Sequence, residues 1–196
     1  MTLSPSRDAS AADWIVRSDL PWARLVTLGP AGFDAYARLR FLPDPVRRGQ
    51  VEFDLHPDGR PPDQAARLLA VLAGHTATPD DCLVAVWDGL GAPPPGTDAP
   101  AVVVGPAERA PHRSYRLFRG LLADLLDTTH EWPGTHLVDG LPAFVWPADQ
   151  AWCVARDVDP HWAGIGGTAH LLSRLLTDPG LDVVPADPAE EQPAYG

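Results

Sequence analysis

One stretch, Pro142 to Pro185, constrains the fold more than any other part of the chain. It reads as strand, tight turn, strand, glycine run, helix, strand. Ala143–Trp146 is a short apolar strand, and Pro147–Ala148–Asp149–Gln150 places proline where a fixed φ suits a type I turn. Within Ala151–Asp157, alternation puts Trp152, Val154 and Arg156 on one face and Ala151, Cys153 and Ala155 on the other. Two mostly apolar faces predict a strand covered on both sides, near the middle of a sheet. Thr168 then caps a helix through Thr177 with Leu171, Leu172, Leu175 and Leu176 as its buried stripe. Pro179–Gly180 ends it, and Leu181–Val184 is a last strand.

The rest of the chain supplies shorter elements. Trp22, Leu25 and Val26 fall at helical spacing and predict a short helix to about Leu28, with a strand as the alternative because Val26 and Thr27 are β-branched. Asp34–Phe41 alternates Ala35, Ala37, Leu39 and Phe41 with Tyr36, Arg38 and Arg40, which predicts a half-buried strand. A second short strand is expected around Val51–Leu55. Pro61–Gly74 is a helix with Ala65, Leu68, Leu69 and Leu72 inward and Asp63, Gln64 and Arg67 toward water. Cys82–Trp87 is a buried strand, Ala101–Val104 and Tyr115–Phe118 are further strands, and Leu121–Thr128 is a helix. The expected architecture is a single α+β domain over residues 13–185, a mainly antiparallel sheet with flanking helices, with 1–12 and 186–196 as flexible tails.

Charge narrows the partners. Formal net charge is -11 with a sequence pI near 4.8. A basic stripe for phosphate is absent, which argues against nucleic acid and against an anionic membrane surface. Every basic side chain other than histidine is arginine. Cys82 and Cys153 each sit in an apolar run and are expected to be buried, reduced thiols. No basic-then-apolar leader opens the sequence and no apolar run is long enough to span a bilayer, so a cytoplasmic location is the default expectation.

Several constellations carry possible chemistry. Gly164–Ile165–Gly166–Gly167–Thr168–Ala169 fits the G-x-G-x-x-A dinucleotide pattern, in which glycines let backbone N–H groups approach a pyrophosphate. It does not follow its strand directly, and Asp187 lies beyond Pro185, so a flexible hinge with a helix start is the preferred reading. His130–Glu131 and His136 are spaced by six across Pro133–Gly134, which does not suit a helical zinc site, and with His161 and His170 they read as exposed histidines. Asp157 and Asp159 share a strand-end face and could pair for acid–base work or hold a cation. Arg38 and Arg40 beside Tyr36 could form an anion site on a sheet face. Trp87 and Trp146 are candidates for an aromatic groove of the kind that dominates protein contacts. No serine sits in a nucleophile elbow, neither cysteine has a histidine close in sequence, and no cofactor is implied.

A set of segments also carries a resemblance. These are Gly32–Phe33–Asp34–Ala35–Tyr36–Ala37–Arg38–Leu39–Arg40–Phe41 with Pro43–Asp44–Pro45, the Cys82–Gly89 strand ending Trp-Asp-Gly, Tyr115–Arg116–Leu117–Phe118–Arg119–Gly120, and Trp146–Pro147–Ala148–Asp149 through Trp152–Cys153–Val154–Ala155. Together they resemble a family of uncharacterised actinobacterial proteins. The order of elements is loosely similar to the SUKH (Smi1/Knr4-like) superfamily, many of whose bacterial members are immunity proteins that neutralise toxins by binding them. The resemblance implies a non-catalytic protein-binding module, immunity-like or regulatory, with a protein partner. The alternative is a small-molecule or nucleotide-binding protein, or an enzyme, using Gly164–Ala169 with Asp157 and Asp159.

Overall fold

The chain follows its alternating apolar patterns into one antiparallel sheet with helices on both faces. The computed structural model describes residues 3–55, 63–89, 98–105, 113–126 and 140–196. The strands in chain order are β1 (Ser4–Pro5), β2 (Ala35–Arg40), β3 (Cys82–Trp87), β4 (Ala101–Val104), β5 (Arg113–Gly120), β6 (Phe144–Pro147), β7 (Cys153–Ala155), β8 (Trp162–Gly167) and β9 (Val183–Ala186). They form a nine-stranded sheet in the order β1-β5-β3-β6-β7-β8-β2-β9, with β4 also on β5. The helices are α1 (Asp13–Val16), α2 (Trp22–Leu28), α3 (Gln64–Ala73), α4 (Leu122–Leu126) and α5 (Ala169–Leu176).

The α+β, mainly antiparallel reading holds, and so does the central placement of the Trp152–Asp157 segment. β7 lies between β6 and β8, paired antiparallel to each. The β6–β7 turn is closed by Gln150 N–H donating to Pro147 O at 2.9 Å. Trp152 and Val154 join a core with α3, α4 and α5, built on Leu68, Leu72, Leu122 and Leu172. Cys153 and Ala155 face the opposite core, with Ile15, Leu25 and Val26 of α1 and α2. Alternation along one strand thus feeds two apolar layers, and burial of each large aliphatic side chain contributes about 2 kcal/mol before ordering entropy.

Four expectations require correction. Gly164–Ala169 is not a hinge: Gly164, Gly166 and Gly167 lie within β8, the first two paired on both sides with β2 and β7 and Gly167 paired with β2. The glycines are there because α2 and Phe33 press on the sheet. A Cβ at Gly164 would stand 2.3 Å from Thr27 O, and one at Gly166 would stand 2.3 Å from the Phe33 ring. Thr168 does cap α5, its Oγ1 accepting from Leu171 N–H at 3.2 Å. Second, β2 is not half-buried: Tyr36, Ala37, Arg38 and Leu39 are all buried, because Pro30 and Phe33 meet Tyr36, and Asp44 and Trp162 meet Arg38, on the face expected to meet water. Third, Val51–Leu55 holds a 3-10 turn at Glu52–Asp54 rather than a strand. Fourth, Gln64 is buried; its amide donates to Arg40 O at 3.0 Å and its Oε1 accepts from Asp182 N–H at 2.5 Å.

Both segments expected to be flexible tails make contacts with the body. Ser4 and Pro5 pair with Arg119 and Phe118 of β5. At the other end, Trp162 Nε1–H donates to Pro193 O at 3.1 Å and Gly196 N–H donates to Gln50 O at 3.0 Å. His130, Glu131 and His136 lie outside the described residues. Among the described residues, no helix is long and apolar enough to cross a membrane.

Candidate functional site

Period-two alternation along β2 sends Tyr36, Arg38 and Arg40 to one face, and the structure gives each a partner. The Tyr36 hydroxyl donates to Pro30 O at 2.8 Å, and burial pushes its ionisation up. Arg38 makes a two-pronged pair with Asp44, at 2.6 and 3.0 Å. Arg40 bridges Asp44 at 3.3 Å and Asp182 at 2.7 Å. His161 Nε2 lies 3.1 Å from the same Asp44 carboxylate. The guanidinium of Arg38 sits 5.4 Å from the Trp162 ring centroid. The expected open anion site is therefore already occupied by two carboxylates of the chain itself.

Asp44 is the hub. Burial alone would raise its carboxyl, but hydrogen bonds from Arg38 and His161 and the charges of Arg38 and Arg40 outweigh that and hold it at about 2. It stands between Pro43 and Pro45, whose fixed φ angles aim it inward. From this anchor the chain makes a tied loop, residues 43–55. Buried Gln50 accepts from Val46 N–H at 2.9 Å, Asp54 N–H donates to Val51 O at 3.1 Å, and Arg47 pairs with Asp54 at 3.2 Å. Three apolar side chains of this loop stand uncovered among the exposed Arg47, Arg48, Glu52 and Asp54: Phe53 is 96% exposed, Val46 89% and Val51 42%.

The last residues lie over the same cluster. The Tyr195 ring meets His161 edge-to-face at 4.7 Å, and its hydroxyl donates to Pro43 O at 2.5 Å. A cleft of about 330 Å³ separates this segment from α2, with Arg24, Thr27, Trp162 and Glu191 among its walls. His161, expected to be exposed, is instead buried, and its Nδ1 has no partner.

The remaining sequence candidates fall elsewhere. Trp87, Asp157 and Asp159 gather around Arg113. Its guanidinium lies 4.6 Å from the Trp87 ring centroid and 5.6 Å from that of Trp22, and it reaches Asp157 at 3.3 Å and Asp159 at 3.6 Å. Asp157 and Asp159 thus share one arginine. Trp146 lines no groove: it is a core residue, edge-to-face with Trp14 at 6.1 Å. Cys82 and Cys153 are buried and free; burial pushes both thiols up, Cys82 to about 12. Among the described residues, no group of three or more His, Cys, Asp and Glu side chains could hold a metal ion.

Sequence reasoning missed Asp44, His161, Asp182 and Arg113 as partners, and Val46 and Phe53 as presented side chains. A signal existed for Asp44 alone, an acid held between two prolines just after the two arginines of β2. No family model, curated protein or solved structure matches this chain.

Proposed function

We propose that the chain is a non-catalytic protein-binding module, immunity-like or regulatory in type, that grips a basic protein with loop 43–55. The observation that carries this reading is the pairing of exposure with restraint. Phe53 and Val46 stand in solvent at 96% and 89% on a loop pinned from beneath by Asp44 and Gln50. Scattered exposed apolar side chains are ordinary, but large ones presented on one tied loop suit an interaction surface. Covering Phe53 and Val46 is worth about 2 kcal/mol each, and a restrained loop gives up little entropy on binding. The net charge of -11 favours a basic partner by complementarity and speeds its approach.

Isothermal titration of the purified chain against basic proteins encoded beside its gene tests this. The expected result is binding that weakens about thirtyfold in Phe53→Asp, matching about 2 kcal/mol, with the melting temperature unchanged. An association rate that falls with salt is expected as well. Equal affinity of the wild-type chain and Phe53→Asp would sink the reading. So would sedimentation showing that the patch is buried by a second copy of this chain.

A further inference from the structure

We propose that residues 187–196 form a proton-operated strap: charging His161 lifts Tyr195 and releases Pro43 and Gln50, through which the segment steadies loop 43–55. The consequence for partner binding rests on the reading of that loop given above; the strap itself does not.

The ties are few and specific. Tyr195 Oη–H donates to Pro43 O, Gly196 N–H donates to Gln50 O, and Pro193 O accepts from Trp162 Nε1–H. The segment is ordered within itself, with Gln192 Nε2 donating to Asp187 O at 2.7 Å and to Glu190 O at 3.0 Å. It can therefore swing as a unit about β9. Behind it lies the cleft of about 330 Å³ instead of packed side chains.

His161 sits under the strap in a state that suits only the neutral ring. Its side chain is 1% exposed. Because Asp44 is a carboxylate, Nε2 carries the hydrogen and donates to it, which leaves Nδ1 a bare, buried lone pair. A second proton would land on Nδ1, where no acceptor waits, and an unpaired buried charge is costly. Asp44 attracts the imidazolium, but Arg38 already grips both its oxygens and Arg40 one of them; Arg38 repels it from β2, and Glu52 attracts it from the 3-10 turn. Tyr195 contributes an uncharged phenol above the ring. Burial wins, and the ring's affinity for protons lies below its ordinary value. A group depressed in this way supports the closed form above the ordinary histidine range and withdraws that support as pH falls. β2 and β8 are interior strands and cannot part, so water reaches Nδ1 by displacing Tyr195.

Hydrogen exchange on the free 196-residue chain tests the strap without any partner. After correction for intrinsic rates, the amide of Gly196, which donates to Gln50 O, should lose about tenfold in protection between about pH 7.5 and about pH 5, together with those of Ala194 and Tyr195. The core amides of β7 should not change. His161→Phe, which cannot charge, should abolish the difference. Tyr195→Ala should show low protection at both pH values. Wild-type protection that is the same at both pH values overturns the proposal, and that reading does not depend on any variant folding. An unaltered pH response in folded His161→Phe overturns it too. Either failure leaves partner binding through Phe53 intact, because no partner is present in the measurement.

Discussion

Replacing Gly164 with alanine tests the central packing of this protein. The added Cβ would sit 2.3 Å from Thr27 O and 2.6 Å from Leu28 Cα, inside the 3.0 Å that real Cβ atoms essentially never cross. Both obstacles are backbone, so no rotamer change relieves the contact. Either α2 lifts from the sheet or β8 bends, and β8 is held on both sides by β2 and β7. Lifting α2 loosens Leu25, Val26 and Leu28, all buried against the sheet. Overpacking against side chains typically costs 1–3 kcal/mol, and a backbone obstacle belongs at the top of that range, about 3 kcal/mol. For a domain of this size that lowers the melting temperature by about 6–12 °C. Gly32→Ala is the control. Its φ is +106° but nothing lies within 4 Å of the new Cβ, so only backbone strain acts, about 1 kcal/mol. Chemical denaturation of both variants, read by tryptophan fluorescence, separates the two costs. A Gly164→Ala midpoint equal to that of the parent would show that α2 does not press on β8, and the account of the glycine run would fall with it.

Other expectations concern the buried charges, the thiols and a cap. Asp44 is depressed to about 2 from 3.8, so its contribution of about 2 kcal/mol is complete above the unfolded value and is lost as pH falls toward about 2. Asp44→Asn should flatten that acid limb in pH-dependent denaturation, and at neutral pH it should cost about 3 kcal/mol by stranding buried Arg38; an unchanged acid limb would rule out Asp44 as the hub. Cys153 should resist a thiol reagent in the native chain and react only at the rate of opening, since burial keeps it protonated; fast native labelling would contradict the double-sided burial of β7. Thr168→Ala should lower stability by about 1 kcal/mol through loss of its bond to Leu171 N–H, measured by urea denaturation.

What the sequence determined by itself was local and periodic. Alternation along Trp152–Ala155 placed a strand between two apolar layers, Leu171, Leu172 and Leu175 fixed the buried face of α5 while Leu176, expected with them, is exposed, and the proline-led turn at Pro147 made β6 and β7 neighbours. These patterns are carried by adjacent side chains, so they are legible without knowing what lies opposite. The tertiary structure alone decided the rest. Glycine has no side chain to show a period, so Gly164–Gly167 read as a breaker until α2 at Gly164, Phe33 at Gly166 and Leu171 at Gly167 supplied the surfaces that forbid a Cβ. Arg38 and Arg40 read as a wet face until Asp44, Asp182 and His161, the last 117 residues from Asp44 in sequence, arrived to neutralise and cover it. Whether a charge is buried and paired depends on which distant group the fold brings to it, and no property of the residue or its neighbours records that.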